Sequence, residues 1–208
     1  MILYLIHHAE SCHNAEGRVQ GQSDVGLSDF GRRQAEALVD ALEHDWIEAM
    51  HASPLRPALE TAEPLARRKG VSIETDSRLE EIHVGVFQDH LHEELSTLFP
   101  AEYEQWTSGD PDFVIPGGES RRQLMDRAYA VFQAICDTGA ERVAIVSHGS
   151  TLSAALKVLM GIPAHHHPFC FHNAAISRLE WSSRSTKLIT FNEIAHLGHV
   201  GLAGYGDF

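Results

Sequence analysis

The sequence predicts a three-layer α/β/α sandwich on a mainly parallel sheet with an antiparallel edge. Short apolar runs rich in β-formers alternate with amphipathic stretches at helical spacing, the pattern of strands and helices that share one sheet. The runs stop abruptly at polar or glycine-bearing turns, first at His7-His8 and later at His148-Gly149. Near the end of the chain, two strand-like runs follow each other with no helix between them, which predicts a closing hairpin at the sheet edge.

Ile2 to Ile6 is a continuous apolar run, as expected for a strand buried on both faces. A polar, glycine-bearing loop runs on to Leu27. Ser28 then stands as N-cap before Gly31, Ala35, Leu38, Val39 and Leu42 at helical spacing. Trp46 to Ala52 reads as the second strand, and Ser53-Pro54 as a helix start. Leu59, Ala62, Leu65 and Ala66 give the buried stripe of a helix that ends near Gly70, and Val71 to Thr75 gives a third strand.

Between Glu81 and Glu119 the β-signal disappears. Short helices are expected around Leu91–Phe99 and Ala101–Trp106, with Leu91, Leu95, Leu98 and Phe99 as packing residues, and a turn at Pro116-Gly117-Gly118. This stretch, about 82–119, reads as a small helical insertion lying over the site as a lid. Leu124, Ala128, Val131, Phe132 and Ile135 then mark an amphipathic helix, Arg142 to Ser147 a fourth buried strand, and Thr151 to Met160 another helix. Ala175–Trp181 and Lys187–Phe191 form the hairpin, and the segment from Gly198 to Phe208 reads as a loose tail. One domain over 1–208 accounts for all of it.

Composition narrows the function. The chain has 208 residues, with 16 Lys+Arg against 29 Asp+Glu and a formal charge of −13 that leaves out 15 histidines. An acidic chain without a basic run neutralises no phosphate backbone, so neither nucleic acid nor an anionic membrane is expected as partner. No stretch approaches the roughly 20 apolar residues of a membrane span, and the N-terminal run is too short for a signal peptide, so a cytoplasmic protein is expected. Cys12, Cys136 and Cys170 are too widely spaced for a disulfide framework or a CxxC metal site. His165-His166-His167 reads as a solvated loop, since no thiol or carboxylate stands at a recognisable ligand spacing.

The informative histidines are His8 and His148. Each is delivered by the carboxyl end of a different strand, where open α/β sheets bind ligands, and each precedes a small residue, Ala9 or Gly149. A neutral imidazole, with a reference pKa of about 6.5, is nucleophilic near neutral pH and can take up a phosphoryl group.

The residues around this pair resemble a known family. His8-Ala9-Glu10-Ser11, Asn14, Arg18, Gln20-Gly21, Asp24, Leu27, Gly31 and Gln34-Ala35 look like the opening of the histidine phosphatase superfamily, the phosphoglycerate mutase-like proteins. Ser53-Pro54-Leu55 with Thr61-Ala62, Glu81 four residues before Gly85, Gly117-Gly118-Glu119-Ser120 with Arg127, Val146-Ser147-His148-Gly149 and Asn192 with His196-Leu197 continue it in order. The resemblance implies that His8 attacks phosphorus and becomes a phosphohistidine, that Glu81 protonates the leaving oxygen, and that His148 lies against the phosphoryl group. Ser11, Asn14, Gln20 and Gly21 would help hold phosphate or substrate. No metal and no cofactor is implied.

Two departures bear on activity. The family's Arg-His-Gly reads His7-His8-Ala9, so a permanently charged bidentate fork has become an imidazole. In the Ser-Pro-Leu-x-Arg stretch, Pro57 stands where the second arginine belongs and Arg56 is one position early, an offset of about 100° around a helix. His7, Arg56 and Gly149 therefore join the candidate phosphate- and substrate-binding residues. The expected function is a metal-independent phosphomonoester hydrolase acting on a small soluble phosphorylated metabolite. A catalytically weakened pseudophosphatase that binds a phospho-ligand or protein partner is the alternative, and a cofactor-dependent phosphoglycerate mutase a lesser one. A homodimer is compatible with the sequence.

Overall fold

A computed structural model describes residues 1–182 and 184–201. The tail expected from Gly198 falls largely on 202–208, outside the described residues. A six-stranded sheet has the order β3-β2-β4-β1-β5-β6. β1 (Ile2–His7) lies centrally, parallel to β4 (Arg142–Ser147) and antiparallel to β5 (Ile176–Ser182). β2 (Ala49–Ala52) and β3 (Ile73–Thr75) extend the parallel half, and β6 (Ser185–Glu193) closes the antiparallel edge.

Side chains alternate across the sheet and divide the core in two. Tyr4, Ile6, Met50, Ala144 and Val146 face α2 (Asp29–Ala41) and α3 (Arg56–Lys69). Leu3, Leu5, Val143 and Ile145 face α6 (Arg121–Cys136) and α7 (Gly149–Leu159). Ser28 caps α2 through its hydroxyl, and Gly70, at φ 68°, ends α3. The three-layer sandwich is thus present.

Several boundaries differ from the sequence expectation. β2 starts only at Ala49, because Trp46 is 60% exposed and takes no part in the sheet. The loop after β1 contains α1 (Cys12–Glu16), a five-residue helix with no buried residue and hence no periodic signal. The 82–119 insertion carries α4 (Leu95–Leu98) and α5 (Pro100–Thr107). Its Phe87, Leu95 and Trp106 belong to the same buried cluster as Leu3 and Phe132, so the segment is anchored in the core. Leu98, expected to pack, is exposed.

Candidate active site

Main-chain bonds on both sides hold the end of β1. His7 N–H donates to the Ala175 carbonyl at 3.1 Å and His8 N–H to the Ser147 carbonyl at 3.0 Å. Both side chains are fully buried. His8 Nδ1–H donates to the Ala9 carbonyl at 2.7 Å, which fixes the tautomer that carries its lone pair on Nε2. His148 follows β4 as the residue before α7, and its ring centroid lies 4.9 Å from that of His8. Its Nε2 sits 2.8 Å from Ser53 Oγ, at the end of β2. His7 lies 4.5 Å from His8, centroid to centroid, with Nδ1–H donating to the His172 carbonyl at 3.0 Å. Three imidazoles therefore line the carboxyl edge of the parallel strands.

A polar rim surrounds them. Ser11 caps α1 in a reciprocal capping box with Asn14, and its hydroxyl also donates to Gln20 Oε1. Asn173 Nδ2 donates to the His8 carbonyl at 3.1 Å and to Asn14 Oδ1 at 3.2 Å, which joins this rim to the nucleophile strand. Gln20 Nε2 is buried with no acceptor among the described residues. Gly21 has φ 52°, and a Cβ there would stand 2.4 Å from Val84 Cγ2, so only glycine lets the loop close onto the segment after Glu81.

Glu81 is 2% exposed. Its Oε1 accepts the Ile82 N–H at 2.6 Å and its Oε2 the Ser150 N–H at 3.0 Å, which ties it to the first turn of α7, beside His148. Arg127 holds the strip that carries it. The guanidinium pairs with Glu119 at 2.6 Å and donates to the carbonyls of Arg78, Glu80 and Glu81 at 2.9, 2.7 and 2.8 Å. Glu80 faces elsewhere, lining a separate depression with His83 and Arg127.

Arg56 is the candidate that the structure does not bring in. It is the first residue of α3, and its Nε and Nη2 donate to Glu60 Oε1 at 3.1 and 2.7 Å. At 54% side-chain exposure it makes an ordinary (i, i+4) ion pair, with its main-chain N–H on Asp24. Arg18 is likewise engaged outside, with Glu16 and the Asp89 carbonyl. Pro57 fills the place itself: it is buried, and its carbonyl accepts from Thr61 Oγ1, which in turn accepts the Ala9 N–H at 2.9 Å. The position beside the nucleophile loop is occupied by a ring without charge.

His8, Glu81, His148, His7, Ser11, Asn14, Gln20 and Gly149 thus gather at one edge, and Gly21 shapes the adjoining loop. Sequence reasoning did not assign site roles to Ser53, Asn173 and Ser150. Ser53 directly follows β2 and Ser150 stands in the first turn of α7, a placement that could have found them, whereas Asn173 lies in the loop before β5.

Known proteins resemble the chain over most of its length. The chain is 32% identical over 202 residues to a Klebsiella pneumoniae protein described as "Probable phosphoglycerate mutase", with 94% of each covered. Among solved structures, YhfR of Bacillus stearothermophilus superposes with a TM-score of 0.87 at 27% identity, covering 94% of this chain and 98% of that one. A mycobacterial glucosyl-3-phosphoglycerate phosphatase in complex with VO3 gives 0.84 at 28% identity, covering 93% and 99%. Residues 3–194 match the sequence profile of one family over nearly the whole chain, and on that match the chain belongs to the histidine phosphatase superfamily, branch 1.

Proposed function

We propose that the chain hydrolyses a small phosphomonoester through a phosphohistidine on His8. The observation that carries this is the His8 ring: buried, tautomer-locked by the Ala9 carbonyl, flanked by His148, and with a buried carboxyl at Glu81 tied to the next turn. Nε2 attacks phosphorus as the ester P–O bond breaks. Glu81, entering as the acid, gives its proton to the departing oxygen. Water then attacks phosphorus, its proton passes to the Glu81 carboxylate, and the P–N bond breaks to restore neutral His8 and release inorganic phosphate. His7, His148, Asn14 and Gln20 would supply hydrogen bonds to the phosphoryl oxygens, whose charge is greatest in the transition state.

The names of the mycobacterial and Klebsiella relatives both refer to phosphoglycerates, which supports a similar substrate here. We read this chain as a phosphatase of that kind. Turnover of p-nitrophenyl phosphate with acid-labile phosphate trapped on the His8 peptide is the expected result, and His8→Asn should reduce kcat by about 10⁴ or more. Equal turnover by His8→Asn would sink the reading.

One observation favours a second reading. With His7 in the first arginine position, Pro57 in the second and Arg56 held by Glu60, neither position supplies a permanent charge there, and each lost donor costs about 10²–10³ in rate. A weakened phosphatase that chiefly binds a phospho-ligand predicts phosphate-competitive binding with turnover near background. Transfer of phosphate between the two monophosphoglycerates would instead establish a mutase.

A further inference from the structure

Beside the His8 cluster lies a cavity of about 250 Å³, walled by Gly149 and Ser150 at the start of α7 and by Ile82, the residue after Glu81. Two cations line it, Arg121 and Lys157. Arg121 is the first residue of α6, where the positive end of the helix dipole disfavours a cation. Its neighbour Arg122 turns outward to Asp112. Arg121 lies with its guanidinium carbon 3.3 Å from the centroid of the Trp106 ring and donates to the Trp106 carbonyl at 3.0 Å. Lys157 is 3% exposed and spends one of its donors on the Ala164 carbonyl at 3.1 Å.

Among the described residues, neither cation forms an ion pair. Burial pushes the Arg121 guanidinium down to about 10, and Lys157 is lowered by burial and then by the charge of Arg121. Holding the buried Lys157 charge without a counter-ion, beside a half-buried Arg121 that repels it, is unfavourable. An anion in the cavity would offset the cost.

We infer that this cavity receives a second anionic group of the substrate, a carboxylate or a second phosphate, while the ester phosphate rests on His8. The preferred substrates are then phosphomonoesters that carry another acidic group a few bonds away. This rests on the phosphatase reading for the place of the ester phosphate. A buried cation left unpaired by a neutral analogue discriminates strongly against it, in the way a site built for a polar group rejects a molecule lacking that group.

The test compares kcat/KM for 3-(phosphonooxy)propanoate with its methyl ester, and for propane-1,3-diol bisphosphate with the monophosphate. At least about a tenfold preference for the doubly anionic member of one pair is expected, equivalent to roughly 1.4 kcal/mol. The pair that shows it identifies carboxylate or phosphate as the second group. In Arg121→Gln and Lys157→Met the preference should shrink below about threefold, and Lys157→Met, which removes charge at similar volume, decides the matter if Arg121→Gln does not fold. No preference in either pair, or a preference kept in both variants, overturns the inference. Failure of the phosphatase reading looks different: no substrate is turned over and His8 is never labelled. Calorimetric titration with the same four compounds then decides, at least tenfold tighter binding of a doubly anionic member supporting the cavity and equal binding overturning it.

Discussion

The His8 cluster and the cavity beside it divide between them what a phosphate site usually combines. The cluster has the nucleophile, a buried carboxyl and two neighbouring imidazoles, but Arg18 and Arg56 are engaged outside it. The cavity has two cations in its wall and does not contain His8. A strip of a few residues, Glu81-Ile82 on one side and Gly149-Ser150 on the other, belongs to both. Permanent charge has thus been placed for a part of the ligand that does not react, and the reacting phosphate is left to groups that hydrogen bond. Such a division lowers the discrimination against wrong substrates less than it lowers the rate, because binding that is equal in ground and transition states does not raise kcat.

The largest effect should come from removing the acid. Glu81→Gln keeps an acceptor for only one of the Ile82 and Ser150 N–H groups and offers no acidic proton, so kcat on an alkyl phosphate should fall by about 10²–10⁴. p-Nitrophenyl phosphate, whose leaving oxygen needs little protonation, should suffer less. Similar losses on both substrates would mean that Glu81 acts by position alone.

Next is the strip that the two regions share. Arg127→Leu strands the Glu119 carboxylate and removes donors from three carbonyls, so urea unfolding should report a loss of about 3 kcal/mol. Because the strip carries both Glu81 and Ile82, kcat and the preference for doubly anionic substrates should fall together in this variant. If only one falls, the cluster and the cavity are positioned separately.

A smaller change, in the opposite direction, is expected at His7. If the cluster is short of charge, His7→Arg should raise kcat/KM for p-nitrophenyl phosphate by about tenfold, the lower end of what a charged bidentate donor contributes. Its activity should also depend less on pH than the wild type between 6 and 8. No gain, together with undetectable wild-type turnover, would favour the binding protein.

Much of this was legible in the sequence. β4 matches its expected bounds and β1 extends its run by one residue, because a strand buried on both faces leaves an uninterrupted apolar run. His8, His148 and Glu81 could be placed because strand ends and motif spacing fix them independently of side-chain packing. What escaped was set by contacts between distant residues. The outward pairing of Arg56 depends on Glu60, and the second half of the site, Asn173, is joined to Asn14 across 159 positions of chain. Nothing in the sequence around Arg121 and Lys157 marks them as cavity residues, since their contacts with Trp106 and Ala164 form only in the fold.

The weakest expected effect probes the field of the cavity through a histidine at its rim. His167 belongs to the run read as a solvated loop, yet it lines the cavity, and burial followed by the charges of Lys157, Arg121, His165 and His166 pushes its imidazole down to about 4. In the unfolded chain an imidazole titrates near 6.5, so between about 6.5 and 4 the unfolded state binds more protons than the folded one. Stability should therefore fall as pH drops through that window and level off below it. His51 and His196, also lowered by burial, add to the same slope. Discounted for solvent at the rim, the His167 share is about 1 kcal/mol, or about 2–4 °C in Tm. His167→Gln should flatten the dependence of Tm on pH by that amount, and in a Lys157→Met background the same change should flatten it less, because part of the field is already gone. Equal flattening in the two backgrounds would mean that desolvation alone sets the His167 imidazole, and that the cations of the cavity are screened from its rim.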